Sequence, residues 1–319
     1  MKGPRPALRS QAREGTLDAA ARVRVPATSA NLGPAFDCAG LALTCHDVLE
    51  FAVRPSGLSV EVSGIGAGEL PTDESHLVVR AFRAACAELG WQPTGLAVTA
   101  ENAIPQGRGM GSSAAAVVAG VMGAWALCPD VGSVDHDAVL RLTTQLEGHP
   151  DNVAACLLGG ATLSWMEPAG ARAVRLDVAA GVRPVVLVPD GTLSTHVARG
   201  LLPGLVPHDD AAFNAARSAL LVHALTRDPG MLFEATEDRL HQRQRAAAMP
   251  ESIALVDLLR SEGHAAAVSG AGPSVLVLTA GDEAERVTSL TPPGWSVRVV
   301  EVDAAGAEVL VGEPEVSSR

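Results

Sequence analysis

Pro105-Gln106-Gly107-Arg108-Gly109-Met110-Gly111-Ser112-Ser113-Ala114-Ala115-Ala116 is the stretch on which the reading of this chain turns. It stands between a strand-like run, Leu96–Ala100, and an alanine-rich segment that reads as a helix from Ser112. Gly107, Gly109 and Gly111 permit backbone torsions that other residues resist, and they let N–H groups approach a ligand with no Cβ in the way. A helix beginning at Ser112 adds free N–H donors and the positive end of its dipole, which together make an anion site. The serine hydroxyls can cap the helix or ligate a metal ion. Taken alone, the same residues also read as a turn followed by an ordinary serine N-cap, so the rest of the chain must decide.

Composition narrows the choice. The chain has 319 residues, 47% of them hydrophobic and 19% charged, which suffices for a packed core. Aromatic residues make up 3% and Tyr is absent, so the core must be Ala, Val and Leu, and stacking platforms for single-stranded nucleic acid are disfavoured. A net charge of −12 disfavours any nucleic-acid partner, because phosphate neutralisation needs a basic surface. Lys2 is the sole lysine, which rules out a phosphate loop of the Gly-Lys-Ser/Thr type. Any triphosphate must therefore be held by backbone N–H groups, Arg, hydroxyls or a metal. Cys38, Cys45, Cys86, Cys128 and Cys156 form no C-x-x-C pair and read as reduced thiols of a cytoplasmic protein. The N-terminus has no apolar run of a signal peptide. The longest apolar stretch, Ala114–Cys128, is interrupted by Gly120 and Gly123 and falls short of the roughly 20 residues that span a bilayer, so it reads as a buried helix and no membrane partner is expected.

Outward from the loop, residues 1–20 lack apolar periodicity and read as a flexible tail. Strands are expected from Ala21, at Val48–Val53, at Leu58–Val62 and at Leu96–Ala100, with a helix over Ser75–Leu89. A helix over Asp135–Leu146 and strands at Ala161–Trp165 and Val174–Leu176 follow. Val185–Val188 opens a second unit with helices at Asp209–Leu225, Met231–Ala248 and Ile253–Glu262 and strands at Ala266–Ser269, Ser274–Leu278 and Val297–Val302. Strands and helices mix without a regular βαβ beat, which predicts α+β rather than a doubly wound sheet.

The glycine loop resembles the second motif of the GHMP kinases, P-x-x-x-G-L-G-S-S-A-A, with Met110 in place of Leu. Val25-Pro26-Ala27-Thr28-Ser29-Ala30-Asn31-Leu32-Gly33-Pro34-Ala35-Phe36-Asp37 is similar to the first motif of the homoserine kinase branch, with Ala35 for Gly. Ser269-Gly270-Ala271-Gly272-Pro273-Ser274 is similar to the third motif, with Ser274 for Thr. Glu147–Val153, Ser194–Arg199 and Asp238–Arg245 resemble the branch's E-G-H-P-D-N-V, S-T-x-x-A-R and D-x-L-H-Q-P-Y-R, the last with Arg243-Gln244 for Pro-Tyr. Six matches in one order run from about residue 22 to 303, and they are far more specific than the loop alone.

The resemblance implies a two-domain α+β fold. A ribosomal protein S5 domain 2-like N-terminal ATP-binding domain would cover 21–180, and a ferredoxin-like C-terminal domain 181–319. It implies transfer of the ATP γ-phosphoryl group to the hydroxyl of L-homoserine, in threonine biosynthesis, with Mg²⁺ as cofactor and a homodimer as the assembly common in the family. It implies that Arg199 and Arg245 clamp the substrate carboxylate, as the planar guanidinium fork suits them to do. Asn31 and Asp37 would hold the amino and hydroxyl end and serve as the catalytic pair, and His149 would be a further substrate contact. ATP would lie on Pro105, Gln106, Gly107, Arg108, Gly109, Met110, Gly111, Ser112, Ser113, Ala114, Gly270 and Gly272, with Mg²⁺ on Ser112 or Ser113 and Glu147. Phosphoryl transfer relies on positioning and charge stabilisation, so no dedicated base is expected. Two rival readings stand beside this one. A GHMP kinase for another alcohol, such as mevalonate, would lack the amine that gives Asp37 and Asn31 their purpose. A catalytically silent sensor of the same fold would have less use for the loop serines and Glu147.

Overall fold

The computed structural model describes residues 19–281 and 283–310. Its first half runs β1 (Ala20–Ala30), β2 (Ala39–Arg54), β3 (Gly57–Gly64), α1 (Leu77–Glu88), β4 (Gly95–Asn102), α2 (Ser112–Leu127), α3 (His136–Glu147), α4 (Asp151–Leu158), β5 (Ala161–Glu167) and β6 (Gly170–Leu176). The second half runs β7 (Val182–Pro189), α5 (Thr195–Gly200), α6 (His208–Thr226), α7 (Leu232–Ala235), α8 (Pro250–Ser261), β8 (Ala265–Val268), β9 (Val275–Ala280), α9 (Ala284–Ser289), β10 (Trp295–Val299) and β11 (Glu308–Leu310).

The first sheet has seven strands in the order β11-β1-β2-β4-β3, and the hairpin β5-β6 is added to the other end of β2. Its pairings are antiparallel except β3 with β4. The register of β1 against β2 shifts between Pro26 and Ala27, where proline lacks the N–H a continuous ladder needs. The second sheet is antiparallel in the order β10-β7-β9-β8, which is the βαββαβ ferredoxin-like order 4-1-3-2. The α+β expectation holds.

Alternation along β7 explains how the sheets share a core. Val186 and Val188 face the main cluster, which also contains Val23, Leu41 and Phe51, whereas Val185 and Leu187 face a separate cluster under α8 with Ile253 and Leu259. α2 is buried nearly all round, as its run of Ala, Val and Gly requires. Among the described residues no helix is long and apolar enough to cross a membrane.

Four local expectations differ from the structure. Residues 1–18 of the expected tail lie outside the described residues, but Ala20 already opens β1. The expected helix over Met231–Ala248 is instead the short α7, a loop and a 3-10 turn over Arg243–Ala248. The interruption has a cause: the Asp238 carboxylate accepts from the N–H groups of Leu240, His241 and Gln242, an alternative to helical bonding. α4, α5 and α9 were not foreseen from sequence. Finally, the chain end expected in the second unit returns to the first: Leu43 pairs with Val302, and β11 pairs with β1.

Candidate active site

The glycine loop carries three positive φ angles, 63° at Gly107, 74° at Gly109 and 70° at Gly111. Two of them are also sites of close approach. A Cβ on Gly109 would collide with the Ser269 carbonyl, and one on Gly111 with the Thr28 hydroxyl. The reason is that the first and third motifs are laced to the loop. Thr28 N donates to the Met110 carbonyl at 3.0 Å, Ser269 Oγ donates to the Gly109 carbonyl at 2.5 Å, and Asn31 Nδ2 donates to the Gly270 carbonyl at 2.8 Å. Gly111 is the left-handed N-cap of α2, and no side chain caps the helix, so the amides of its first turn are open to a ligand.

That open end faces a cleft of about 650 Å³. Pro105, Gly107, Gly109, Met110, Gly111, Ser112 and Ser113 line it from the loop; Gly270 and Gly272 from the third motif; Asn31, Glu147, His149, Arg199 and Arg245 from elsewhere in the chain. Four expected residues do not line it. Asp37 stands behind Arg199, Ala114 is buried in the first turn of α2, and Gln106 lines a neighbouring pocket. Arg108 is drawn away: its guanidinium donates to the carbonyls of Pro189, Gln106 and Asp190, so it tethers the loop to the end of β7.

The two arginines at the far side of the cleft differ in kind. Arg199 Nη1 and Nη2 meet the Asp37 carboxylate at 2.9 and 2.5 Å, and this pairing raises its pKa. Arg245 is 1% exposed, yet no carboxylate lies within ion-pair distance of it among the described residues. Its Nη1 lies 3.3 Å from both His241 Nδ1 and the Gly270 carbonyl, and burial lowers its pKa, with the Arg199 charge adding to the effect. Phe36 is the wall between them, its ring centroid 5.4 Å from Arg199 Cζ and 5.3 Å from Arg245 Cζ. Asp37 itself has φ of 57° and is fixed by its N–H donating to Asn31 Oδ1 at 2.9 Å.

His149 Nδ1 lies 2.8 Å from Asp151 Oδ1. Burial by itself would depress this imidazole, but the Asp151 hydrogen bond and charge prevail and raise its pKa above 6.5. Glu147, the last residue of α3, accepts from Ser113 Oγ at 2.8 Å. Burial pushes its carboxyl up, and the serine donor opposes that. Ser113 and Glu147 thus set two hard oxygens beside the open end of α2, a donor set that suits Mg²⁺ sharing its remaining positions with phosphate oxygens and water. Among the described residues no cluster of three or more His, Cys, Asp or Glu forms a metal cage.

A second, mainly apolar pocket of about 870 Å³ adjoins the cleft and shares Gly107, Ser112 and Ser113 with it. Leu49, Leu70, Pro71 and Val78 line it, and so do Asp47 and His76, which sequence reasoning missed. Asp47 accepts from Ala103 and Ile104 N–H and so sets the strand end that launches the loop. His76 is 4% exposed, and neither ring nitrogen has a partner among the described residues. Its place directly before α1, where a capping residue belongs, is the one local sign of it in the sequence.

An uncapped helix mouth under a left-handed glycine turn, joined to a ferredoxin-like unit across a charged cleft, defines the GHMP class of small-molecule kinases. The family model of the GHMP kinases N terminal domain matches residues 76–160, and that of the GHMP kinases C terminal matches 216–289. The homoserine kinase of Streptomyces avermitilis is 55% identical over 293 residues, covering 92% of this chain and 96% of its own. That of Clavibacter michiganensis is 52% identical, covering 91% and 94%. The crystal structure of homoserine kinase from Cytophaga hutchinsonii superposes with a TM-score of 0.81 at 25% identity, covering 93% of this chain and 99% of that one. Mevalonate kinase from L. major, at 15% identity and a TM-score of 0.61, shares the fold. The chain belongs to the homoserine kinase family of the GHMP kinases.

Proposed function

We propose that this chain transfers the γ-phosphoryl group of ATP to the side-chain hydroxyl of L-homoserine, yielding ADP and O-phospho-L-homoserine. The observation that carries the reading is Arg245: a buried guanidinium without a carboxylate partner among the described residues lines the same cleft as the open mouth of α2. A buried cation of this kind calls for an anion from outside. Arg245, with Arg199 beside it, binds the substrate carboxylate; Asp37, standing behind Arg199, orients that guanidinium. Asn31 and His149 border the space left for the hydroxyl. The phosphate oxygens lie against the amides of Gly109–Ser113, and the base enters the apolar pocket, where His76 offers its two free nitrogens. Ser113 and Glu147 would hold Mg²⁺, which when bound neutralises charge on the phosphates. With donor and acceptor fixed in one cleft, positioning supplies most of the rate, and no dedicated base is assigned. ATP as donor and five unpaired thiols support a cytoplasmic setting.

A coupled ADP assay with Mg-ATP comparing L-homoserine, R-mevalonate and galactose tests this. Turnover is expected on L-homoserine alone. Comparable turnover on mevalonate would transfer the assignment to another alcohol, and ATP binding without turnover on any of them would leave a sensor.

A further inference from the structure

We infer that His241 is a positioning residue for the substrate carboxylate: as a neutral imidazole it holds Arg245 from an uncharged nitrogen and so leaves that guanidinium free to take an anion. The inference rests on the role given to Arg245 above. The hydrogen bonds fix the form of the ring. His241 Nε2 lies 2.7 Å from the Gly33 carbonyl, which can only accept, so Nε2 carries a hydrogen. Arg245 Nη1, always a donor, lies 3.3 Å from Nδ1, so Nδ1 must present its lone pair. Both conditions are met only by the neutral Nε2–H tautomer, since a cationic ring would point a hydrogen at the guanidinium.

The surroundings keep the ring in that form. His241 is 1% exposed, and its ring stands 5.0 Å from that of Phe36. Burial lowers its pKa, and the Arg245 charge acts the same way, while Asp238 and Asp37 act against them. Asp238 Oδ1 is 3.7 Å from Nε2, but its two oxygens are occupied by Leu240, His241 and Gln242 N–H and by Asn214 Nδ2. The contrast with Arg199 gives the device its meaning. Arg199 is steadied by a carboxylate, which cancels its charge; Arg245 is steadied by an imidazole and a carbonyl, which do not.

Two variants of the full chain separate the halves of the ring. An amide in His241→Asn reaches the place of Nδ1 and can still accept from Arg245; an amide in His241→Gln reaches the place of Nε2 and keeps only the Gly33 bond. His241→Gln is expected to raise the homoserine KM about tenfold with the ATP KM changed less than about twofold, as loss of one hydrogen bond to a charged group implies. His241→Asn should restore most of the loss. Equal effects of the two variants, or a parallel rise in the ATP KM, overturns the inference. A long-range ¹H–¹⁵N spectrum of wild-type imidazoles, assigned with His241→Asn or, if that variant does not fold, with His241→Gln, gives a readout that needs no substrate. The Nε2–H tautomer is expected at pH 7, and an Nδ1–H or doubly protonated ring there overturns the inference. A wild type inactive on homoserine would defeat the functional proposal while leaving this tautomer test standing.

Discussion

At the end proposed for phosphate the cleft offers backbone amides at the mouth of α2, and the described chain brings no lysine there; at the end proposed for the amino acid it offers side chains from separate segments, Asn31, His149, Arg199 and Arg245. The first end is a property of one loop, and its precision comes from torsions and close packing. The second is assembled from distant parts, and its precision comes from who pairs with whom. A molecule can therefore lose its grip on either ligand by quite different injuries: a single methyl group in the loop, or a single missing charge across the cleft.

The sharpest way to break this division is Arg245→Met, which keeps the buried bulk and removes the cation. Removing one member of a buried charge contact costs about 2–5 kcal/mol, so kcat/KM for homoserine is expected to fall about a thousandfold with the ATP KM nearly unchanged. Steady-state kinetics with each substrate varied checks it, and a matching rise in the ATP KM would mean that the two ends are not separate. Gly111→Ala injures the other end. A left-handed non-glycine residue costs about 1–2 kcal/mol, and the added Cβ must also displace the Thr28 hydroxyl, so about 2–3 kcal/mol of stability should be lost. Urea unfolding measures that loss, and ATP affinity measured by calorimetry should weaken more than homoserine affinity. The smallest effect expected is electrostatic. In Asp151→Asn the chief causes that raise His149 are removed while burial remains, so its titration, followed by NMR, should shift downward. The sign carries over to folding: the raised pKa means that the His149–Asp151 pair contributes full stability below 6.5 and loses it as the pH climbs through the folded-state value. An unmoved His149 would show that Asp151 is not what charges it.

How much of this was legible in the sequence follows from the same division. The glycine loop could be read directly, because Gly109 and Gly111 stand where a Cβ has no room and φ is positive, a constraint that leaves a mark in the residue type. Arg199 and Arg245 could be singled out only through the ordered motifs, since nothing local marks one arginine on a short helix as different from another. Arg108 was assigned to ATP because it sits in the loop, but the carbonyls that claim it belong to Pro189 and Asp190, far along the chain. The helix expected over Met231–Ala248 fails where Asp238 gathers backbone N–H groups, an effect of side-chain geometry that apolar spacing does not encode. Asp47 and His76 gain their place only when β2 and α1 close around one pocket.

The strand contributed by Glu308–Leu310 bears on how the molecule is made. It is the outermost strand of the sheet that begins at Ala20, and the segment before it also supplies the Asp303 carbonyl to Gly160 N and the Asp303 carboxylate to His46. During synthesis on a ribosome the amino-terminal unit therefore emerges with its border unfinished. That border can be completed only after every residue of the other unit has been translated, so the amino-terminal sheet reaches its full width last.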